Sequence, residues 1–340
     1  MIDGVSNVDV VAADAVIRAE GLVKRYGELE AVRGIDLEVR AGEIFGFLGP
    51  NGAGKSTTIS ILCTLLSPTA GTARVAGIDV AYDPARVRQR IGLVFQDPSL
   101  DDQLTGRENL EFHAFIYSVP SSQRRQRIDE MLALVQLTDR ASSQVKTYSG
   151  GMKRRLEIAR GMLHQLKVLF LDEPTLGLDP QTRRSIWTHL NQLRSAKGVT
   201  IFMTTHYMDA AEYCDRIAVI DQGKIVALGT PDELKAMVGG DVVTITSSRQ
   251  DEAAAEIERV LGVTPARDNG TLRMEVPDGK AFVPRLVREL KAPVDTVTMR
   301  RPSLDDVFLK LTGRAIRDEE ASAGDQNRAM ARRFMAGRRR

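Results

Sequence analysis

The chain of 340 residues has little of the residue types that define several classes of protein. Its two cysteines, Cys63 and Cys214, lie far apart, and each follows an apolar helical pattern. Two isolated thiols do not make a disulfide framework, so we expect buried, reduced side chains in a reducing compartment. The four histidines share no metal-ligand spacing with the cysteines, which argues against a zinc site.

Long hydrophobic runs and a basic leader are also missing. No uninterrupted apolar stretch approaches the about 18 residues of a membrane-spanning helix. The first seventeen residues contain no lysine or arginine, so the basic start of a secretory signal is lacking. A net charge of +2 creates no strong field toward nucleic acid, and no nucleic-acid partner is expected. We therefore expect a cytoplasmic protein that reaches a membrane only through a partner.

Strand and helix signals alternate between residues 17 and 238. The core strand candidates are residues 43–48, 91–95, 168–172, 199–204 and 217–221. This order predicts an α/β domain with a largely buried sheet, preceded by a flexible arm at 1–16. A helical period within residues about 105–160 indicates a helical subdomain inserted into that domain.

A smaller α+β domain is predicted at residues 239–313. Its expected strands are 242–246, 271–276 and 294–299, and its expected helices are 251–261, 281–291 and 303–311. Ser303 is the predicted cap of the last helix, because Asp305 and Asp306 follow it. The polar, Arg-rich tail at 314–340 is predicted to be disordered.

A glycine-rich loop carries the clearest chemistry. The loop consists of Gly49, Pro50, Asn51, Gly52, Ala53, Gly54, Lys55, Ser56 and Thr57. It fits the phosphate-binding pattern G-x-x-x-x-G-K-[ST], and it stands between an apolar run and a helical stretch at 58–66. Backbone N–H groups and the helix N-terminus would surround phosphate oxygens, Lys55 would reach the outer phosphates, and Ser56 would ligate Mg²⁺. The loop predicts binding of ATP or GTP.

Two carboxylates follow a second apolar run at 168–171. A buried strand would carry Asp172 to the sheet edge beside the loop, where it would hold Mg²⁺ directly or through water. Glu173 would then face the γ-phosphate and act as general base toward water. A second anion site is indicated at Ser149, Gly150 and Gly151, which open an amphipathic helix. That site has no obvious partner in the same chain, so it would contact a nucleotide held by another copy.

Together these motifs resemble the nucleotide-binding subunit of an ABC transporter, a P-loop NTPase. They occur in the family's order across residues 17–237. The matching positions are the Walker A loop at 49–57, Gln96 of the Q-loop, the signature at 148–152, the Walker B strand at 168–173, Asp179 of the D-loop, the switch His206, and Tyr26, which stacks on adenine.

The resemblance implies an ATPase that works as a pair. Two copies would pair head to tail, each ATP lying between Lys55 of one copy and Ser149 of the other. His206 would contact the γ-phosphate, Gln96 would sense Mg²⁺ and the attacking water, and Asp179 would stabilise the facing copy. The implied partner is a separate membrane permease, which places the subunit peripherally on the cytoplasmic face of the membrane.

Two features refine the resemblance. Tyr148 and Met152 replace the usual Leu and Gln of the signature, and the Ser-Gly-Gly core is intact. The ending at 302–313 is similar to that of daunorubicin/doxorubicin-resistance ATP-binding subunits, which implies export of a drug-like or lipid-like substrate. Two alternatives are weighed against transport. A ribosome- or DNA-directed ABC ATPase would usually carry a second nucleotide-binding unit or a long coiled coil, and a purely regulatory module would not need Glu173 and His206.

Overall fold

A computed structural model describes residues 15–96, 99–268 and 271–313. Contacts divide these residues into two compact units, 15–228 and 229–313. The expected tail at 314–340 and residues 1–14 of the expected arm lie outside the described residues. Residues 15 and 16, which the sequence assigned to the arm, belong to the first strand.

The first unit contains ten strands and seven helices within its described residues. The strands are β1 Ala15–Tyr26, β2 Leu29–Arg40, β3 Ile44–Leu48, β4 Ala70–Val75, β5 Ile78–Asp79, β6 Ile91–Val94, β7 Val168–Leu171, β8 Thr200–Thr205, β9 Arg216–Asp221 and β10 Lys224–Gly229. The helices are α1 Lys55–Leu62, α2 Pro84–Arg88, α3 Gly106–Ile116, α4 Ser121–Leu134, α5 Gly150–Gly161, α6 Pro180–Lys197 and α7 Met208–Ala211.

A six-stranded sheet with the order β10-β9-β3-β8-β7-β6 forms the centre of this unit. β3 is parallel to β8 and β9, and β7 is parallel to β6 and β8. The five core strands predicted from the sequence are therefore confirmed to within one or two residues. Because parallel strands run in the same direction, the loops after β3, β7 and β8 meet at one edge of the sheet.

Phenylalanines of three neighbouring strands fill the core of this sheet. Phe202 lies 5.6 Å from both Phe45 and Phe47 and 5.5 Å from Phe170, measured between ring centroids. Complete burial of all four rings removes a large apolar area from water, which stabilises the sheet. Both cysteines are buried and free, as the sequence predicted.

A second, antiparallel sheet was not predicted. It has the order β2-β1-β4-β5, and its inward residues join the same hydrophobic core. β1 and β2 pair with four register shifts along their length. Each shift breaks the alternation of apolar and polar residues, and alternation is the signal by which a half-buried strand is recognised.

The second unit is an α+β fold. Its elements are α8 Pro231–Ala236, β11 Asp241–Thr246, α9 Gln250–Leu261, β12 Ala266–Asp268, β13 Thr271–Val276, α10 Gly279–Glu289, β14 Thr296–Arg300 and α11 Leu304–Thr312. The antiparallel sheet has the order β12-β13-β11-β14. Ser303 caps α11 and forms a capping box with Asp306, which confirms the cap predicted from the sequence.

This unit begins ten residues before the limit of 239 predicted from the sequence. α8 contacts α11, and the Lys310 ammonium donates to the carbonyls of Met237 (3.0 Å) and Val238 (2.8 Å). These contacts tie residues 231–238 to the C-terminal unit, whereas the sequence pattern showed only the Gly239-Gly240 break. Within the described residues, no helix is long and apolar enough to cross a membrane.

Candidate functional site

The glycine-rich loop connects β3 to α1. Gly54 caps α1 with a φ of 104°, and a Cβ at this position would lie 2.5 Å from the Ala31 carbonyl oxygen, so only glycine fits. α1 begins at Lys55, three residues before the start predicted from the sequence. The N-terminus of this helix, which carries the positive end of the helix dipole, therefore lies directly at the loop.

Lys55 is buried, and its ammonium contacts both the loop and a carboxylate. Nζ donates to the carbonyls of Gly49 (2.7 Å) and Pro50 (3.1 Å) and lies 3.3 Å from Glu173 Oε1. These contacts hold the one cation of the loop at the sheet edge, beside the residues that follow β7.

Asp172 and Glu173 follow β7 directly, and the neighbouring strand β8 positions both. The Thr204 hydroxyl donates to Asp172 Oδ1 and accepts from the Glu173 backbone N–H at 3.0 Å. Glu173 has a φ of +48°, a left-handed conformation that non-glycine residues rarely adopt. Such strain is typical of functional sites, where the surrounding structure enforces it.

Glu173 and His206 are paired. His206 Nδ1 lies 2.8 Å from Glu173 Oε2, and both side chains are more than 90% buried. Burial by itself raises the pKa of Glu173, but the hydrogen bond with His206 and the charge of Lys55 together hold that pKa below its usual value. The carboxylate is therefore ionised at neutral pH and is able to accept a proton from water.

A cavity of about 440 Å³ opens beside these groups. The predicted site residues that line it are Tyr26, Pro50, Asn51, Gly52, Gly54, Lys55, Ser56, Thr57, Gln96, Glu173 and His206. Leu29, Ala31, Leu176 and Tyr207 also line it, and the sequence did not indicate them. Tyr26 is about half exposed at the end of β1, where its ring faces the cavity mouth. Five separate stretches of the chain, at 26–31, 50–57, 96, 173–176 and 206–207, thus line one cavity.

The remaining predicted residues do not line this cavity. Gly49, Ala53 and Asp172 are buried and are not among the residues that line it. Ser149, Gly150 and Asp179 are exposed elsewhere on the same unit. A single chain therefore does not bring the signature to the loop that holds Lys55.

The signature forms the N-terminus of α5. The Ser149 hydroxyl accepts from the Met152 N–H (3.3 Å), and Gly150 and Gly151 are the first helical residues. A Cβ on Gly151 would lie 2.3 Å from the Thr182 methyl group, so α6 packs directly on this glycine. Thr182 is itself hydrogen-bonded to Asp179, the cap of α6.

The unusual Tyr148 has a structural role. Its hydroxyl donates to the Arg140 carbonyl (2.6 Å), and a Cβ on Gly106 would lie 2.3 Å from that hydroxyl. Tyr148 thereby links the signature to Arg140 by a hydrogen bond, which a leucine at this position cannot form, and packs against the start of α3.

Thr204 is the clearest residue that the sequence analysis missed. The sequence hardly indicates a functional role for Thr204, because a threonine near the end of an apolar strand is common. Only the parallel pairing of β7 and β8 shows that it touches both carboxylate residues.

The predicted Mg²⁺ ligands, Ser56, Gln96 and Asp172, all supply oxygen atoms, which is the donor set that Mg²⁺ prefers. Among the described residues there is no cluster of three or more His, Cys, Asp or Glu side chains that could hold a metal by itself. The protein groups therefore fit a magnesium ion that shares its coordination with phosphate and water.

A parallel sheet, a phosphate-binding loop at its carboxyl edge and an adjacent buried base define a P-loop ATPase. Residues 32–176 match the family model of the ABC transporter, and residues 229–312 match that of the C-terminal domain of DrrA1-3-like ATP-binding proteins. The chain belongs to the ABC transporter family and is an ATP-hydrolysing subunit of the daunorubicin/doxorubicin-resistance type.

Curated relatives match nearly the whole chain. The daunorubicin resistance ATP-binding protein DrrA3 of Streptomyces coeruleorubidus is 42% identical, over 91% of this chain and 100% of its own. The linearmycin resistance ATP-binding protein LnrL of Bacillus subtilis is 38% identical, over 89% of this chain and 100% of its own. The comparisons give no support to the alternative of a ribosome- or DNA-directed ATPase.

Solved structures with the same fold are also ABC cassettes. CbiO1 from Clostridium perfringens, part of the transporter complex cbiONQ, has a TM-score of 0.63 at 29% identity, over 74% of this chain and 97% of that one. The dimeric cassette MJ0796 bound to ADP and Pi has a TM-score of 0.57 at 29% identity, over 63% of this chain and 98% of that one.

Proposed function

We propose that this chain hydrolyses ATP to power export of a drug-like or lipid-like substrate through a separate membrane permease. The observation that carries the proposal is the buried Lys55–Glu173–His206 cluster at the mouth of the P-loop cavity. The similarity to daunorubicin and linearmycin resistance proteins over nearly the full chain supports the class of substrate.

In the proposed reaction, Tyr26 stacks on the adenine and the loop N–H groups bind the phosphates. Lys55 moves its charge from Glu173 toward the outer phosphates, because phosphate oxygens compete for the same ammonium. Glu173 then accepts a proton from the attacking water, while His206 keeps the carboxylate in position and contacts the γ-phosphate. Ser56, Gln96 and Asp172 are the groups that would hold Mg²⁺, which neutralises phosphate charge when bound.

The complete site is proposed to need two copies in a head-to-tail pair. Ser149 and Gly150 are exposed at the N-terminus of a twelve-residue helix and do not line the cavity of their own chain. Placing this helix end on a partner's γ-phosphate would satisfy its N–H groups and complete the anion site. The exposed D-loop residue Asp179 would lie at the same interface.

The permease is proposed to dock on α3 and the Q-loop, which would hold the subunit peripherally on the cytoplasmic face of the membrane. Phe112, Phe115 and Ile116 of α3 are 57%, 69% and 53% exposed, and Phe95 beside Gln96 is 44% exposed. Such an apolar surface is unusual on a protein without a partner. A permease segment bound there would be displaced when the Q-loop moves.

An export assay tests the function. Cells that make this chain with its permease are loaded with fluorescent anthracycline, and the retained dye is followed over time. We expect faster loss of dye than in cells with the Glu173→Gln chain, which should bind ATP but not hydrolyse it. Equal loss of dye with both chains would refute ATP-driven export of this class of substrate. ATP hydrolysis by the purified parent chain is measured separately, so that a failure of export is distinguished from a failure of hydrolysis.

A further inference from the structure

A buried arginine on the signature helix touches both parts of the catalytic machinery. Arg154 lies one turn after Ser149 on α5 and is 6% exposed. Its Nε donates to the Pro174 carbonyl (2.9 Å) and its Nη2 to the Asp172 carbonyl (3.0 Å). One guanidinium thus holds the backbone on both sides of Glu173.

The same guanidinium also holds the Q-loop. Arg154 Nη1 donates to the carbonyl of Phe95, the residue before Gln96. It also donates to Glu157 Oε2 at 3.1 Å, and the fully buried Glu157 accepts the Ser99 N–H on its other oxygen at 2.8 Å. Arg160, one turn further along, donates to the Ser99 carbonyl and hydroxyl, both at 2.7 Å.

These contacts connect three elements that the proposed mechanism requires to move together. Positions 154, 157 and 160 are spaced along one face of α5, and that face carries three buried charges instead of apolar side chains. Burying charge is costly unless each group has a partner, and here Arg154 is paired with Glu157 while Arg160 is hydrogen-bonded to Ser99. The hydrogen bonds and the ion pair on this face of α5 therefore fix the positions of these three side chains relative to their partners.

We propose that Arg154 is a positioning residue that couples the signature helix to catalysis. When Ser149 engages the nucleotide of a second copy, any shift of α5 moves the Arg154 guanidinium, and with it the carbonyls beside Glu173 and Gln96. This proposal rests on the proposed roles of Glu173, Gln96 and the head-to-tail pair. It assigns no contact between Arg154 and ATP.

The test compares steady-state ATPase kinetics of the full-length parent chain with two variants. R154K keeps a positive charge beside Glu157. A lysine ammonium lacks the planar guanidinium group, so it cannot donate to the carbonyls of Phe95, Asp172 and Pro174 at the same time. R154M/E157L removes the ion pair as a whole, so that neither Arg154 nor Glu157 is left without the other if R154K fails to fold. R155Q is the matched control, since the Arg155 guanidinium donates to the carbonyls of Val135 and Gln136 and, within the described part of the chain, is not bonded to the backbone beside Glu173 or Gln96.

For the folded variants we expect kcat to fall about a hundredfold, as a displaced catalytic group predicts. KM for ATP and the melting temperature should stay close to the parent's, and R155Q should behave as the parent. A merely structural role would instead lower the melting temperature and leave kcat unchanged. If R154K or R154M/E157L folds and keeps the parental kcat, the inference is overturned. A parent chain without ATPase activity would refute the proposed function itself.

Discussion

Glu173 combines burial, a left-handed backbone, the Lys55 ammonium and the His206 imidazole as neighbours, and the adjoining strands position all of them. The residue type and its place after an apolar strand were readable from the sequence, as were Lys55 and His206. Thr204 and Arg154 were not, because their partners lie 32 and 18 to 59 residues away along the chain. Such contacts depend on strand pairing and helix packing, which a motif does not encode.

Replacing Glu173 by Gln should remove the general base and preserve the site's shape. We expect kcat to fall about a hundredfold to ten-thousandfold, with ATP binding retained. Glu43→Gln is the matched control, since Glu43 is also buried but precedes β3, at the end opposite the P-loop. Assays of phosphate release by both variants check this, and parental turnover by E173Q would remove Glu173 from the catalytic role.

The pH dependence of stability follows from the lowered pKa of Glu173. A carboxylate with a depressed folded pKa stabilises the native state above its unfolded pKa, and this contribution is lost as pH falls through the folded value. The parent should therefore exceed E173Q in free energy of unfolding at neutral pH. This difference in the free energy of unfolding should become smaller as the pH falls below 4.5, the ordinary pKa of glutamate. Urea titrations across pH 7 to about 3 measure it, and a difference that grows as pH falls would mean that the pKa is raised instead.

At the scale of elements, the parallel strands were predictable and the antiparallel sheet was not. β7 is four consecutive buried apolar residues, a pattern that is recognisable in any context. β1 has exposed charges and shifted register, so its inward residues do not alternate regularly. The last three helices of the second unit were predicted to within two residues, and Asp278 and Ser303 cap two of them, whereas α8 was not predicted.

The contact between the signature helix α5 and α6 can be tested by substitutions that change only the size of a side chain. Gly151→Ala should cost about 1–3 kcal/mol in free energy of unfolding, because the new Cβ overlaps the Thr182 methyl group. Adding Thr182→Ser removes that methyl, keeps the hydroxyl bonded to Asp179, and should restore most of the loss. Chemical denaturation measures both.

Gly150→Ala provides the control for this stability measurement. Its Cβ would lie 3.7 Å from Leu178, an ordinary contact distance, so little stability should be lost. Equal costs at positions 150 and 151, or no recovery with Thr182→Ser, would contradict the packing that the structure describes.

The exposed aromatic surface of α3 leads to a prediction about docking. Phe115→Asp should abolish co-purification with the permease, because a charge would be buried in the interface. ATPase activity of the isolated chain should be unchanged. Tyr82→Asp alters another exposed aromatic residue, 91% exposed and outside this surface, and should leave co-purification intact. Retention of the permease by F115D would place the docking surface elsewhere.

At the scale of the whole molecule, the sequence indicated both a nucleotide-binding unit and a smaller C-terminal unit. The division between them was harder to place, because the Gly239-Gly240 break follows α8, whereas α8 itself packs on α11. The proposed head-to-tail pair involves two copies, so the structure of one chain does not contain it. We expect E173Q to double its mass in light scattering when ATP is added and to remain monomeric with ADP. A monomer with ATP would argue against the shared site.

The most direct measurement is purification of this chain from its native membranes in mild detergent, with mass spectrometry of the partners and ATPase assay of the complex. We expect a polytopic membrane protein in stoichiometric amount, and ATP hydrolysis by the complex that the Glu173→Gln substitution abolishes. Ribosomal proteins or DNA-bound partners, without any membrane protein, would contradict the assignment as the ATP-hydrolysing subunit of an exporter.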